Sequence, residues 1–199
     1  MGTTREPIKK TSIEKKNRII EKGFELICEK GYHNINSIDI AKEAGVSTGL
    51  IYQYFDDKND IFVAGVKKYS SEIMFPMINT LEKNSINHSN IKEIFNEIID
   101  KYIKTHKMSK KAHEELLAMS HSDKATSEIF RQDEEDLTIK IADILVKNGF
   151  SDANINEKVH IIYNIIDQYC HEVIYHKHDN INYPEMKNEI ISMIEIILK

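Results

Sequence analysis

The stretch Ser37 to Lys58, SIDIAKEAGVSTGLIYQYFDDK, constrains this chain more than any other. It reads as a short helix, a tight turn at Gly45 and a second short helix dense in small, hydroxyl and tyrosine side chains. Two short helices joined by a three- to four-residue turn containing Gly are the sequence form of a helix-turn-helix. Ile40, Ala41 and Ala44 recur at helical spacing behind the capping-competent pair Asn36-Ser37. Ala41 is small where a second helix must cross closely. Gly45 is free to take the left-handed conformation that ends the first helix, and Val46 seals the turn from below. Ser47 is a good N-cap for the second helix, whose first turn carries Thr48, Gly49 and Leu50.

Those residue types suit duplex recognition. If the second helix lies in a major groove, the side chains of its first turn reach base edges. Tyr52 and Tyr54 are expected on outer faces, where a phenol donates to a phosphate, and Lys58 is expected as a further phosphate contact. Ile51 and Phe55, four apart, face back into a core. The candidate DNA-contacting set is therefore Ser37, Ser47, Thr48, Gly49, Leu50, Tyr52, Gln53, Tyr54 and Lys58. A helix pair with a Gly turn also occurs in helical proteins that never touch DNA. The tyrosines, the cap and the downstream lysine are what distinguish this one.

The segment GYHNINSIDIAKEAGVSTGLIYQYFDDKNDIF resembles the DNA-binding domain of TetR-family transcriptional regulators. The marks are Gly31-Tyr32, Ile40-Ala41, Ala44-Gly45-Val46-Ser47, Leu50-Ile51-Tyr52, Tyr54-Phe55 and Lys58, in unbroken order and spacing. The resemblance covers roughly the first third of the chain. It implies an all-α fold, with an N-terminal three-helix DNA-binding head followed by a larger helical ligand-binding and dimerisation domain. It also implies a pseudo-palindromic double-stranded operator, a homodimer and a small-molecule effector. One departure stands out: the position of Ile38 is often Arg in that family and can then touch a base, and Ile38 cannot hydrogen-bond one.

Composition agrees with a helical chain. The 199 residues include only seven Gly and three Pro, with 30% charged side chains, and no segment sustains period-two alternation. The net charge of −5 argues at first sight against a nucleic-acid binder. The distribution reverses that reading: residues 1–68 hold twelve Lys/Arg against ten Asp/Glu, and residues 69–199 hold fifteen against twenty-two. Residues 1–22 alone hold seven against three, so the basic charge sits with the reading helices. Cys28 and Cys170 are the only cysteines and lack metal-type spacing, which suits a reducing compartment. No apolar run reaches membrane-spanning length, and a cytoplasmic location without membrane partners is expected.

Along the chain, residues 1–10 read as a flexible arm, 11–57 as the helix-turn-helix domain and 58–199 as the effector-binding and dimerisation domain. Thr11 or Ser12 is expected to cap the first helix, which ends at Gly31. A long helix from Lys58 runs towards Pro76, which is expected to kink or end it. Amphipathic helices follow near 91–107, 110–120, 123–147, 156–176 and 184–198. In the last two, Ile162, Ile166, Tyr169 and Val173 with Ile190, Met193, Ile194 and Ile197 form apolar lines too extensive for one chain to cover. They are expected to pack against a second copy as a four-helix bundle. Phe75, Met77, Phe95, Tyr102, Met108 and Met119 are large, adaptable apolar residues expected around an effector cavity, with His106 as a polar anchor.

Enzyme chemistry has no positive support. His171, His176 and His178 with Asp167 lack zinc-site spacing, HEELL at His113 is not HExxH, and no phosphate loop or nucleophile elbow occurs, so neither a metal nor a cofactor is expected. The reading is a ligand-responsive repressor released from its operator by a hydrophobic effector. The alternatives are an activator or DNA binder without an effector, or a helical interaction module with an incidental helix-turn-helix.

Overall fold

The computed structural model describes residues 7–106 and 108–199, apart from the side chains of residues 73–76. The described residues are helical with no strand, in the order α1 (Lys10–Lys30), α2 (Ser37–Glu43), α3 (Thr48–Tyr54), α4 (Lys58–Lys83), α5 (Ile91–Thr105), α6 (Lys110–Ser122), α7 (Lys124–Lys147), α8 (Ile155–Tyr175) and α9 (Tyr183–Ile197). The chain divides into two compact units, one of residues 1–70 and 108–131, the other of 71–107 and 132–199. The helix from Lys58 does not end at Pro76 but continues to Lys83, so α4 supplies residues to both units.

The first unit is built on a core of Ile19, Phe24, Ile27, Ile40, Ile51, Phe55, Ile61 and Phe62, contributed by α1 to α4. It takes in more chain than a boundary at residue 57 would give. Ala112, Leu116 and Met119 of α6 and Ile129 of α7 bury their side chains in the same core, because α6 packs along α1. Helix α1 begins one residue earlier than Thr11, at Lys10, with Lys9 as a cap that makes no side-chain hydrogen bond. It stops at Gly31, whose φ of 91° is unfavourable for a side-chain-bearing residue. Close helix crossing depends on Gly65 of α4: a Cβ there would lie 2.5 Å from Cβ of Phe24 on α1.

The second unit packs α5 against α8 and α9, with Ile98, Ile99, Val159, Ile166, Ile190 and Ile194 buried between them. Helix α7 ends at Asn148-Gly149, where Gly149 takes φ 90° and Phe150 N–H closes onto the Leu145 carbonyl at 3.1 Å. Asn182 caps α9 by accepting from Glu185 N–H. Two ion pairs, Lys187 to Asp100 at 2.7 Å and Lys92 to Glu195 at 3.0 Å, tie α9 to α5. No helix among the described residues is long and apolar enough to cross a membrane.

Candidate functional site

Local chemistry sets the first helix of the pair. The Asn36 side chain accepts from Ile38 and Asp39 N–H, and the Asp39 carboxylate reaches back to Asn36 N–H at 2.9 Å, a complete capping box. This box places Ser37 at the first helical position, half-buried, rather than in the cap itself. Ile40 and Ala41 turn into the core. At the far end Gly45 takes φ 62°, and Val46 N–H reverses onto the Ala41 carbonyl at 2.9 Å, so α3 starts in a new direction. A Cβ at Gly45 would meet nothing within 4 Å, so its backbone conformation, not space, is what requires glycine.

Helix α3 is anchored from below and open above. Ile51, Tyr54 and Phe55 are buried beneath it. Ser47, Gly49, Tyr52 and Gln53 are exposed, and Thr48 and Leu50 are half-buried. The Ser47 side chain makes no cap hydrogen bond, which leaves its hydroxyl directed to other uses. The exposed edge therefore offers two hydroxyl groups, one amide and one phenol on a rigid support, a donor and acceptor set suited to phosphates and base edges.

Two of the residues expected to contact DNA are turned towards the protein. Tyr54 is only 7% exposed, because it lies three residues after Ile51 and shares its inward face, so its ring packs into the core instead of standing on the outer edge. Lys58 is turned inward as well. Its ammonium donates to the Tyr32 carbonyl at 2.6 Å and the Ile35 carbonyl at 2.9 Å, and lies 4.3 Å from the centre of the Tyr32 ring. The Tyr32 carbonyl opens the 3₁₀ turn 32–34 and the Ile35 carbonyl lies just beyond it, so the Lys58 side chain bridges the turn from one end to the other. From the other side Glu115 of α6 accepts Tyr32 N–H at 2.6 Å. Sequence reading missed Glu115 altogether, since nothing local links it to a loop 83 positions away.

In the second unit an apolar cavity is lined by Met77 and Leu81 of α4, Phe95 and Ile98 of α5, Ile141 and Leu145 of α7, and Val159, Ile162, Tyr163 and Ile166 of α8. It is narrow: the centre of a water molecule has about 20 Å³ to occupy. Of the residues expected around an effector cavity, Met77 and Phe95 line this one. Met119 is not in it, being buried in the core of the first unit, and Met108 packs against that same core. The Phe75 side chain lies outside what the structure describes.

Tyr102 and His106 belong instead to a polar cluster between α5 and α8. The Tyr102 hydroxyl donates to the Asp167 carboxylate, which also pairs with His171 Nδ1 at 3.2 Å. The His106 ring stacks on Tyr102 at 4.3 Å and meets His171 edge-on at 5.3 Å. Burial pushes the His106 imidazole below its ordinary value, and the His171 and Tyr102 contacts hold the Asp167 carboxyl low in spite of its burial. Burial likewise raises the thiols, Cys28 to about 12. Among the described residues no group of three or more His, Cys, Asp or Glu side chains is placed to hold a metal ion.

Five of the eight residues expected to face a partner are covered within the chain itself. Ile162, Ile166, Tyr169, Ile190 and Ile194 are at most 4% exposed within the chain, because that line packs on α5 and on each other. Val173 and Ile197 are half-buried. Met193, also in the expected set, is 46% exposed on α9, and beside these lines Ile161 on α8 is 50% exposed and Ile196 on α9 68%.

Comparison with known proteins agrees with this geometry. Residues 19–64 match the sequence model of bacterial regulatory proteins of the tetR family. The chain is similar to the transcriptional regulator HbdR of Aromatoleum sp. strain CIB, with 45% identity over 64 residues, and to the fatty acid metabolism regulator protein of Bacillus subtilis strain 168, with 33% over 129 residues. These matches cover 30% and 64% of this chain and span 28% and 59% of the relatives' lengths. The fold extends further. A TetR-family transcriptional regulator from Mesorhizobium loti superposes with a TM-score of 0.75 over 96% of this chain and 98% of that one, at 16% identity. A TetR transcription regulator from Haloarcula marismortui superposes with a TM-score of 0.67 over 94% and 97%, also at 16%.

Proposed function

We propose, for a chain that belongs to the TetR family of transcriptional regulators, that it is a cytoplasmic homodimeric repressor released from its operator by an apolar small molecule. The observation that carries the reading is α3 itself. A short helix held from below by Ile51, Tyr54 and Phe55 turns Ser47, Gly49, Tyr52 and Gln53 outward, in the region that matches the family's DNA-binding domain. In this reading Thr48, Gly49, Leu50 and Gln53 meet base edges, while Ser37, Ser47 and Tyr52 hold phosphates.

Pairing supplies the second half of the recognition. A two-fold partner covers Ile161, Ile165, Met193 and Ile196, burying apolar surface that α8 and α9 leave to water. The dimer then offers two α3 helices to successive major grooves of a pseudo-palindromic site.

Release depends on α4. The same helix begins with Lys58, bonded to the 3₁₀ turn of the head, and later contributes Met77 and Leu81 to the cavity wall. The cavity is too small for an organic ligand in this setting, so an effector must select a wider one. The effector acts only through its differential affinity for the two settings. The lining favours an unbranched hydrocarbon or acyl group, and the similarity to a Bacillus subtilis protein named for fatty acid metabolism points the same way.

Fluorescence anisotropy with DNA from upstream of its own gene tests the reading. Binding should weaken steeply as salt rises, and a long-chain acyl compound should release the DNA. Salt-insensitive or absent binding would sink the regulator; binding that no apolar compound disturbs would sink the effector part alone.

A further inference from the structure

Helix α2 commits Ile40 and Ala41 to the core and Asn36 with Asp39 to its cap, yet Ile38 does neither with its side chain. Only its N–H takes part, donating to Asn36 Oδ1 at 2.9 Å. The side chain is 65% exposed, the most open apolar group in the helix-turn-helix, ahead of Tyr52 at 56%. Nothing local recommends isoleucine there: a β-branched residue is a mediocre helix former, and an apolar group in water gains only when something covers it.

The surroundings specify what covers it. Ile38 sits on the helix that packs directly against the reading helix α3, in the same compact unit as residues 1–22, which carry seven basic side chains against three acidic. That charge draws in a polyanion. Within a DNA major groove, most of what a side chain meets is hydrogen-bonding edge, and the apolar exception is the 5-methyl group of thymine. We infer that Ile38 is a specificity-determining residue, burying its side chain against a thymine methyl in each half of the operator. The inference rests on the DNA-binding reading above and adds a base preference to it.

This contact differs in kind from those of α3. It makes no hydrogen bond, so it does not distinguish bases by donor and acceptor pattern, but it separates thymine from cytosine and from uracil, which lack the methyl. Its strength is that of one buried methyl-sized group, about fourfold in affinity per half-site.

The experiment uses the full chain and duplexes selected by it from a random library. Each thymine of the selected half-site is replaced in turn by deoxyuridine, which removes the methyl and leaves pairing intact. Wild-type protein should lose about fourfold in affinity at one thymine per half-site. Ile38→Ala should bind the thymine duplex about that much more weakly and show no further loss with uracil at that position. Because Ile38 is exposed, Ile38→Ala should melt with the wild type, and Ile38→Val, which keeps a branched apolar group, should retain part of the uracil effect. The inference is overturned if no thymine is sensitive, or if Ile38→Ala loses as much as the wild type when the methyl is removed. Failure of the DNA-binding reading looks different, since the wild type would then select no duplex at all.

Discussion

Glu115 and Lys58 hold the same residue from opposite sides: the Glu115 carboxylate accepts Tyr32 N–H at 2.6 Å while the Lys58 ammonium donates to the Tyr32 carbonyl at 2.6 Å. A helix distant in sequence and the start of α4 thus meet on one short turn of the reading head. Glu115→Ala leaves that N–H without its acceptor and should cost about 1–3 kcal/mol. Glu115→Gln keeps an acceptor oxygen and should cost less. Urea denaturation of the two variants checks the order.

Lys58→Met keeps the aliphatic stem and removes the donor to two carbonyls. Its melting temperature should fall, with about 1–3 kcal/mol lost. Its DNA affinity should retain the wild-type salt slope, since no phosphate contact is removed. A slope reduced by about one would restore Lys58 to the phosphate-binding set.

The two tyrosines of α3 should separate cleanly. Tyr52→Ala is expected to weaken DNA binding with little change in stability, because Tyr52 is 56% exposed. Tyr54→Ala removes a buried ring and should destabilise the head by about 3–5 kcal/mol, by analogy with other aromatic truncations. Tyr54→Phe should be close to neutral for both properties. Thermal melts and DNA titrations on the three proteins provide the comparison.

Gly65→Ala introduces a Cβ 2.5 Å from Cβ of Phe24, which is fixed to its own backbone and cannot swing aside. The helices must part, at a cost of about 1–3 kcal/mol. A melting temperature equal to the wild type would contradict the crossing geometry.

Charge substitutions test the partner-facing surface. Ile196→Glu should halve the sedimenting mass and leave the helical content intact, since that side chain is 68% exposed. Ile194→Glu places a carboxylate at a position 1% exposed and should unfold the second unit instead.

Acid should weaken the second unit in two stages. The folded His106 value lies below the ordinary 6.5, so the unfolded chain binds protons more readily, and the stability this gives is complete above 6.5 and lost as pH falls through the lower folded value. Asp167 follows the same sign below 3.8, when its contacts with Tyr102 and His171 fail. His106→Gln should remove the upper stage in a denaturation series across pH and leave the lower one.

The helices themselves were legible because their evidence is local: cap residues, apolar spacing and stop signals lie within a few positions of one another. The expected start of α5 at Ile91 and the stop at Asn148-Gly149 coincide with the structure for that reason. Tyr54 was legible in principle, since its spacing from Ile51 put it on the inward face. Lys58 was not, because a long side chain chooses its direction from carbonyls brought near by tertiary packing. On α8, two neighbouring apolar lines compete, and periodicity cannot say which one faces the chain's own α5. Met119 failed for a larger reason. Its helix α6 belongs with the first unit, a relationship that only long-range packing creates.

That last arrangement limits how the protein can be taken apart. Ala112, Leu116, Met119 and Ile129 fill the core of a head whose other residues lie some forty positions or more earlier. A graft that moved residues 1–70 alone onto another regulator would carry an unroofed floor beneath α1, so a working hybrid must transplant both stretches together.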